Sequence, residues 1–260
     1  MRPAIYDLTK FPTTYDFAAW AVIARTHGAE RVHFVIDGPI AHWKYGVDGQ
    51  DIAWKRFATI VLPICKLARL SYSVGARMQG DQFPYHGGDV CRLYRERGSI
   101  KKLEPTVTWD KRGYVTITMR ESFRNPHRNS NNEAWKAFEK YLSGKGVDVM
   151  VIPECENAPL NVEHRFAWYW NADMNMGVAQ GPMALCVFSD APYITLNQNP
   201  KDTTGKAQYD IDRLLVKTGF PPGSQYDFRT PKQLLVWEPD SFEAIVRAYE
   251  NMQERKEMAA

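Results

Sequence analysis

At 260 residues, 44% of them apolar and 24% charged, the chain can bury one large core or two smaller ones, and its composition is not that of a disordered polymer. A formal net charge of +3 is too small to mark a nucleic-acid binder, although it leaves room for a locally basic cleft that faces an anionic substrate. The four cysteines, Cys65, Cys91, Cys155 and Cys186, stand far apart with no C-x-x-C pair and no Cys/His cluster, which argues against a zinc site or a disulfide framework and for buried thiols.

The first ten residues, MRPAIYDLTK, lack the apolar stretch of a leader, and no window reaches the ~18 apolar residues of a spanning helix. A cytoplasmic location is therefore the default expectation. Thr13 or Thr14 caps a predicted helix over 15–26, built on Phe17, Trp20, Ala21, Ile23 and Ala24 and stopped at His27-Gly28. A buried strand follows over 32–36 and ends in Asp37-Gly38. Asp37 stands where open α/β sheets place ligand groups, and a plain Asp-Gly turn is the other reading. Residues 39–50 mix Pro and Gly with Trp and Tyr, as a cleft-lining loop does. A helical pattern over 51–70 should kink or break at Pro63. The segment 78–89, MQGDQFPYHGGD, is polar and Gly-rich and reads as a loop in which Asp81, His86 and Asp89 can move protons. The charged stretch 92–112 reads as a connection between two halves, solvated rather than ligand-binding.

The second half has a clearer grammar. A β-branched strand over 114–119 ends at Arg120-Glu121-Ser122. A helix over 131–142 follows, capped at Asn129 or Ser130 and stopped at Gly144; a strand over 147–152 then ends in Pro153-Glu154. This is a βαβ unit of a parallel sheet. A helical piece over 164–171 leads to the stretch around which the reading turns: a strand over 176–179, then Gln180-Gly181-Pro182, a short helix over 183–188, and a strand over 193–196. Pro182 suits a first helical turn, and Gly181 permits close approach of a ligand. The helix mouth is thus either a phosphate cradle or an ordinary strand–turn–helix. After Asn197 comes a long polar loop, then a strand over 233–237. The last helix is predicted from Phe242 to about residue 254, capped by Asp240 or Ser241, with a frayed tail. The expected fold is α/β, two Rossmann-like halves with a cleft between them. The first half covers 1–110 and the second 111–238, and 239–260 is a helix packing back on the body.

The stretches VTITMRES (115–122) and GVAQGPMALCVFSDAPYITL (177–196) resemble the nucleotide-sugar half of GT-B glycosyltransferases of the heptosyltransferase and fucosyltransferase kind. Heptosyltransferase-like enzymes write Asp-Ser/Thr-Gly-Pro-x-His at the turn, where this chain has Ala179-Gln180-Gly181-Pro182-Met183-Ala184. The resemblance implies sugar transfer from a nucleotide-sugar donor to a hydroxyl acceptor, without a cofactor. Arg120 would pair with the donor diphosphate, for which a planar guanidinium is suited. Gln180, Gly181, Pro182 and the N–H of Met183 would receive the other phosphate. Glu154 would accept from ribose or base. Glu121, Ser122, Arg124, His127 and Arg128 would complete the rim. The base that takes the acceptor proton would come from the first half: Asp89, Asp37 or His86. Arg120 and the helix dipole would neutralise the leaving diphosphate, so no metal is expected. An epimerase or hydrolase of the same fold, or a non-catalytic nucleotide- or sugar-binding protein, are the alternatives. A dinucleotide oxidoreductase is disfavoured because no G-x-G-x-x-G follows a strand.

Overall fold

The computed structural model describes residues 2–40, 49–122, 125–155, 161–201 and 204–259, so most of the predicted loop over 39–50 lies outside the described residues. Two all-parallel sheets form the frame. In the first, strands β1 (Ala4–Asp7), β2 (Arg31–Val35), β3 (Ser71–Gly75) and β4 (Asp81–Gln82) are ordered β3-β2-β1-β4. In the second, β5 (Tyr114–Glu121), β6 (Asp148–Cys155), β7 (Met174–Val178), β8 (Tyr193–Leu196) and β9 (Gln233–Leu235) are ordered β6-β5-β7-β8-β9. Parallel strands covered on both faces read as unbroken apolar runs, and β1, β7 and β8 are buried along their whole length. This α/β architecture, with parallel sheets, agrees with the expected fold class.

The helices are α1 (Phe17–Thr26), α2 (Gly49–Arg56), α3 (Leu62–Leu67), α4 (Gly87–Arg97), α5 (Asn132–Gly144), α6 (Val162–Asn171), α7 (Ala184–Val187), α8 (Ile211–Thr218) and α9 (Phe242–Ala259). Pro63 acts as expected at a distance of one turn. The chain widens to a π turn at Phe57–Val61, and Pro63 then occupies the first turn of α3, where its missing N–H costs nothing. The cap of α5 is Asn131, whose side chain accepts from the N–H of Ala134, one or two residues beyond the expected caps. Ser241 caps α9 by accepting from the Ala244 N–H, and α9 continues through the tail expected to fray. Asp240 does something else: its Oδ2 accepts from the Asn131 N–H at 2.8 Å and from Trp135 Nε1 at 2.7 Å, tying α9 to α5.

Two elements replace predicted loops. Residues 87–97 form α4, which opens with a capping box between His86 and Asp89 and closes on left-handed Gly98. The polar loop after Asn197 contains α8, capped by Asp210 on the Arg213 N–H at 2.8 Å and ended by left-handed Gly219. Strands β1, β3 and β4 were also not anticipated.

The largest apolar cluster belongs to both halves. Phe17, Trp20 and Phe34 from the first share it with Phe166, Tyr169, Leu185 and Phe188 from the second. A second cluster, with Ile117, Trp135, Phe138, Ile245 and Tyr249, fills the layer between the second sheet and α5 and α9. Each fully buried large side chain contributes about 1.5–3 kcal/mol relative to exposure, so the shared cluster is a strong link between the halves. Among the described residues no helix is long and apolar enough to cross a membrane. Cys65, Cys91 and Cys186 are buried free thiols, as expected, and burial pushes Cys91 up to about 11.

Candidate functional site

In an open parallel sheet the ligand crevice lies at the carboxyl ends of the strands, where the strand order reverses. The first sheet reverses between β1 and β4, and the second between β5 and β7. Both reversals open into one cleft. It is lined by Tyr15 and Asp16 after β1, Tyr85 and His86 after β4, and Gln180 and Gly181 after β7. Its empty volume, the open mouth included, is about 980 Å³.

The two halves touch at its floor. A Cβ built on Gly181 would lie 2.7 Å from Cδ2 of the Tyr15 ring, so this glycine is required by close approach rather than by backbone angle. Gly181→Ala should therefore push the Tyr15 ring aside and cost about 1–3 kcal/mol by overpacking. A denaturant melt reads this, and an unchanged midpoint would show that the ring yields freely. Behind this contact, Gln180 is buried. Its Nε2 donates to the Thr118 carbonyl at 2.8 Å, and its Oε1 has no hydrogen-bond partner among the described residues. Thr118 Oγ1 in turn meets the Tyr169 hydroxyl at 2.8 Å.

The expected phosphate cradle is tighter than the sequence suggested. Gly181–Met183 is a 3-10 turn with Pro182 in its first turn, followed by the four-residue α7, and the Met183 N–H is used on the Gln180 carbonyl at 3.2 Å. Arg128, from the 3-10 turn Pro126–Arg128, reaches this loop; its Nη2 donates to the Ala179 carbonyl at 3.3 Å, and it lines the cleft. Lys217 at the end of α8 lines it from the other side, with its Nζ 5.1 Å from the centre of the Tyr209 ring.

Of the residues singled out in the sequence, His86, Arg128, Gln180, Gly181 and Met183 meet in this cleft. The other described ones do not line it. The main chain of Arg120 is pinned by Ser130, which accepts from its N–H at 2.8 Å, while Ser130 N–H donates to the Arg120 carbonyl at 3.0 Å. Glu121 accepts from Asn132 Nδ2 at 2.8 Å on the outer face of the sheet, and Ser122 is buried against the Asn129 amide. His127 belongs to the same 3-10 turn as Arg128, and Arg124 lies outside the described residues. Glu154 sits opposite Arg120 in register and pairs with Arg165 Nη1 at 2.5 Å. Asp89 accepts from the His86 N–H at 3.2 Å and from Arg92 Nη2 at 2.8 Å. Asp37 accepts from the Arg77 N–H at 3.0 Å, and Arg77 Nη2 also donates to Asp7 at 2.6 Å. Burial pushes the Asp7 carboxyl up, but the Thr9 hydroxyl and Arg77 outweigh it and hold it below the usual carboxylate range.

Three residues were missed. Asp16 is the one carboxylate among the described cleft-lining residues, and its Oδ2 accepts from the Thr14 hydroxyl at 3.1 Å. Tyr15 carries the contact between the halves; burial pushes its phenol well above the usual range, with Arg165 and Arg56 pulling the other way. Arg165 is fully buried beside Tyr15, Tyr169 and Glu154. A strand reading of AIYD would have exposed the first two, because TTYD then becomes the strand-to-helix turn of a first βα unit.

No family model matches the sequence, and no curated protein matches it either. Among solved structures, the chain is similar to the iron-containing dodecameric glycosyltransferase TibC from enterotoxigenic E. coli H10407, at 14% identity and a TM-score of 0.41. That match covers 75% of this chain and spans 58% of TibC. It is also similar to the E. coli heptosyltransferase WaaC with ADP, at 12% identity and a TM-score of 0.47, covering 98% of this chain and 99% of WaaC.

Proposed function

We propose that this protein is a glycosyltransferase, with the cleft holding a nucleotide-sugar donor against the 177–183 loop and a hydroxyl acceptor against the first half. The observation that supports this reading is the convergence of both switch points on one cleft, with one carboxylate, Asp16, and two cations, Arg128 and Lys217, among the residues that line it. In this reading the bond between the anomeric carbon and the diphosphate oxygen breaks, and the acceptor oxygen bonds to that carbon. Arg128 and Lys217 neutralise the charge left on the diphosphate, so the transfer proceeds without a metal and EDTA leaves it unchanged. The Asp16 carboxylate takes the acceptor proton. Residues 1–110 form the acceptor half, 111–238 the donor half, and 239–260 the helix that braces it. Arg128 takes the diphosphate role that the resemblance assigns to Arg120, because Arg128 lines the cleft.

A thermal-shift screen of UDP, GDP, ADP and CMP sugars tests the reading. A donor at a hundred times its Kd raises stability by about 2.7 kcal/mol. A screen in which no nucleotide sugar shifts the melting point would sink it. With the donor identified, Arg128→Ala should cost about 1.5–3 kcal/mol of nucleotide affinity, more than tenfold in Kd; unchanged affinity removes Arg128 from the site. Binding without sugar transfer or donor hydrolysis would favour the non-catalytic reading instead.

A further inference from the structure

A second groove lies behind the cleft: Phe228 in its wall stacks on Tyr226 and Phe188 of the cleft, with ring centroids 5.0 and 5.9 Å apart. The residues that form it come just before strands begin or just after helices end: Arg69 ahead of β3, Lys101 and Lys102 after α4, Asp190 ahead of β8, and Arg229 ahead of β9. It therefore opens at the amino edge of the sheets, whereas the cleft opens at the carboxyl edge. Its empty volume is about 1370 Å³, mouth included, and Trp170 and Tyr94 stand half-buried in its walls.

Its charge is unusual for this chain. Five cations, with Arg25 added to the four above, face two carboxylates, Glu104 and Asp190. Five minus two leaves +3, equal to the formal charge of all 260 residues, so charges elsewhere cancel. Complementing helix ends explains part of this: Arg25 lies in the last turn of α1 and Arg69 just beyond α3. It does not explain Lys101, Lys102 or Arg229, which lie outside any helix. Lys102 is held by Asp190 at 2.8 Å and by the Phe228 carbonyl at 2.9 Å, and Arg69 by Glu104 at 3.4 Å. Arg25, Lys101 and Arg229 make no ion pair among the described residues.

We propose that this groove binds an acidic glycan, whose sugar rings pack on Trp170 and Tyr94 and whose acid groups meet Arg25, Lys101 and Arg229. Aromatic side chains offer broad apolar faces with polar edges, which suits sugar rings. The two carboxylates decide between a glycan and a nucleic acid. Glu104 and Asp190 are exposed enough to accept from sugar hydroxyls, whereas nucleic-acid phosphates bring no donor and would be repelled. A local excess of three charges is also short of the continuous basic stripe that follows a phosphate backbone.

The test is isothermal titration of the whole chain with three probes: a hexasaccharide of galacturonic acid, neutral maltohexaose, and the single-stranded oligonucleotide dT12. The uronate should bind with an affinity that falls as salt rises. Maltohexaose should bind roughly tenfold more weakly or not at all, the size of one or two lost charge-assisted contacts. The double variant Lys101→Glu/Arg229→Glu should lose affinity for the uronate roughly tenfold on the same grounds, with an unchanged melting point. Trp170→Ala should weaken it too. No uronate binding, equal binding by the double variant, or tighter binding of dT12 would overturn the proposal. Uronate binding in a protein that binds no nucleotide sugar would leave the groove standing and remove the transfer reading of the cleft.

Discussion

Asp16→Asn is expected to lower sugar-transfer turnover by about 10²–10⁴-fold while leaving donor affinity nearly unchanged, the loss typical of a missing general base. The substitution keeps size and hydrogen bonding, so the amide oxygen can still accept from the Thr14 hydroxyl that holds the carboxylate now. What it removes is the capacity to take a proton. The sequence favours Asp89 and Asp37 for this role, and both carboxylates are occupied elsewhere. Asp89 closes the capping box of α4 and Asp37 holds the Arg77 N–H. Asp89→Asn should instead cost stability, about 0.5–2 kcal/mol for a weakened cap. Turnover and donor Kd measured side by side in Asp16→Asn, Asp37→Asn and Asp89→Asn decide the matter. If Asp16→Asn turns over at the wild-type rate and Asp89→Asn does not, the base lies on α4.

Glu154→Ala should destabilise the fold by about 3–5 kcal/mol, because it strands the fully buried guanidinium of Arg165 without its charge partner. A protein stable by about 5–15 kcal/mol loses a large share of its margin in that step. Chemical denaturation reads the loss. The double variant Glu154→Leu/Arg165→Met should recover much of it, since two apolar groups of similar size replace the buried pair without an orphaned charge. The ribose-binding role implied by the family resemblance makes the opposite prediction. A Glu154→Ala protein that melts like wild type but binds nucleotide more weakly would restore that role.

How much could be read from the chain followed local contrast. The elements 114–121 and 132–144 were legible because six β-branched and apolar residues in a row, Tyr114–Met119, then a helix with Trp135, Phe138 and Leu142 on one face, leave little competition. Strand β1 was not, since four residues between a polar start and a Thr-rich turn carry too short a period. Helix α4 was hidden by Gly87 and Gly88, poor helix formers, the first of which the packing requires. A Cβ on Gly87 would meet the Lys217 carbonyl at 2.9 Å and the Tyr226 hydroxyl at 3.1 Å. The site was half legible for the same reason. Gln180 and Gly181 follow a clear strand, whereas Tyr15 and Asp16 follow one that went unread. No local pattern marks Arg165 as buried, because its place among Tyr15, Tyr169 and Glu154 is set by three separate elements.

The apolar cluster shared by the two halves has a consequence for substrate entry. Enzymes built from two lobes often open and close about a hinge, which requires the surfaces between lobes to part and be wetted in each cycle. Here those surfaces are continuous hydrocarbon: Phe17 and Trp20 of one lobe share a cluster with Phe166 and Phe188 of the other. Parting them would expose several large side chains at about 1.5–3 kcal/mol each. That cost opposes a hinge motion between the lobes, so in the proposed reading admission to the cleft falls to the segments at its rim. A glycosyltransferase site of the proposed kind would then be preorganised, spending no binding free energy on bringing Tyr15 and Asp16 to the Gly181 loop, because the fold already holds them at one cleft.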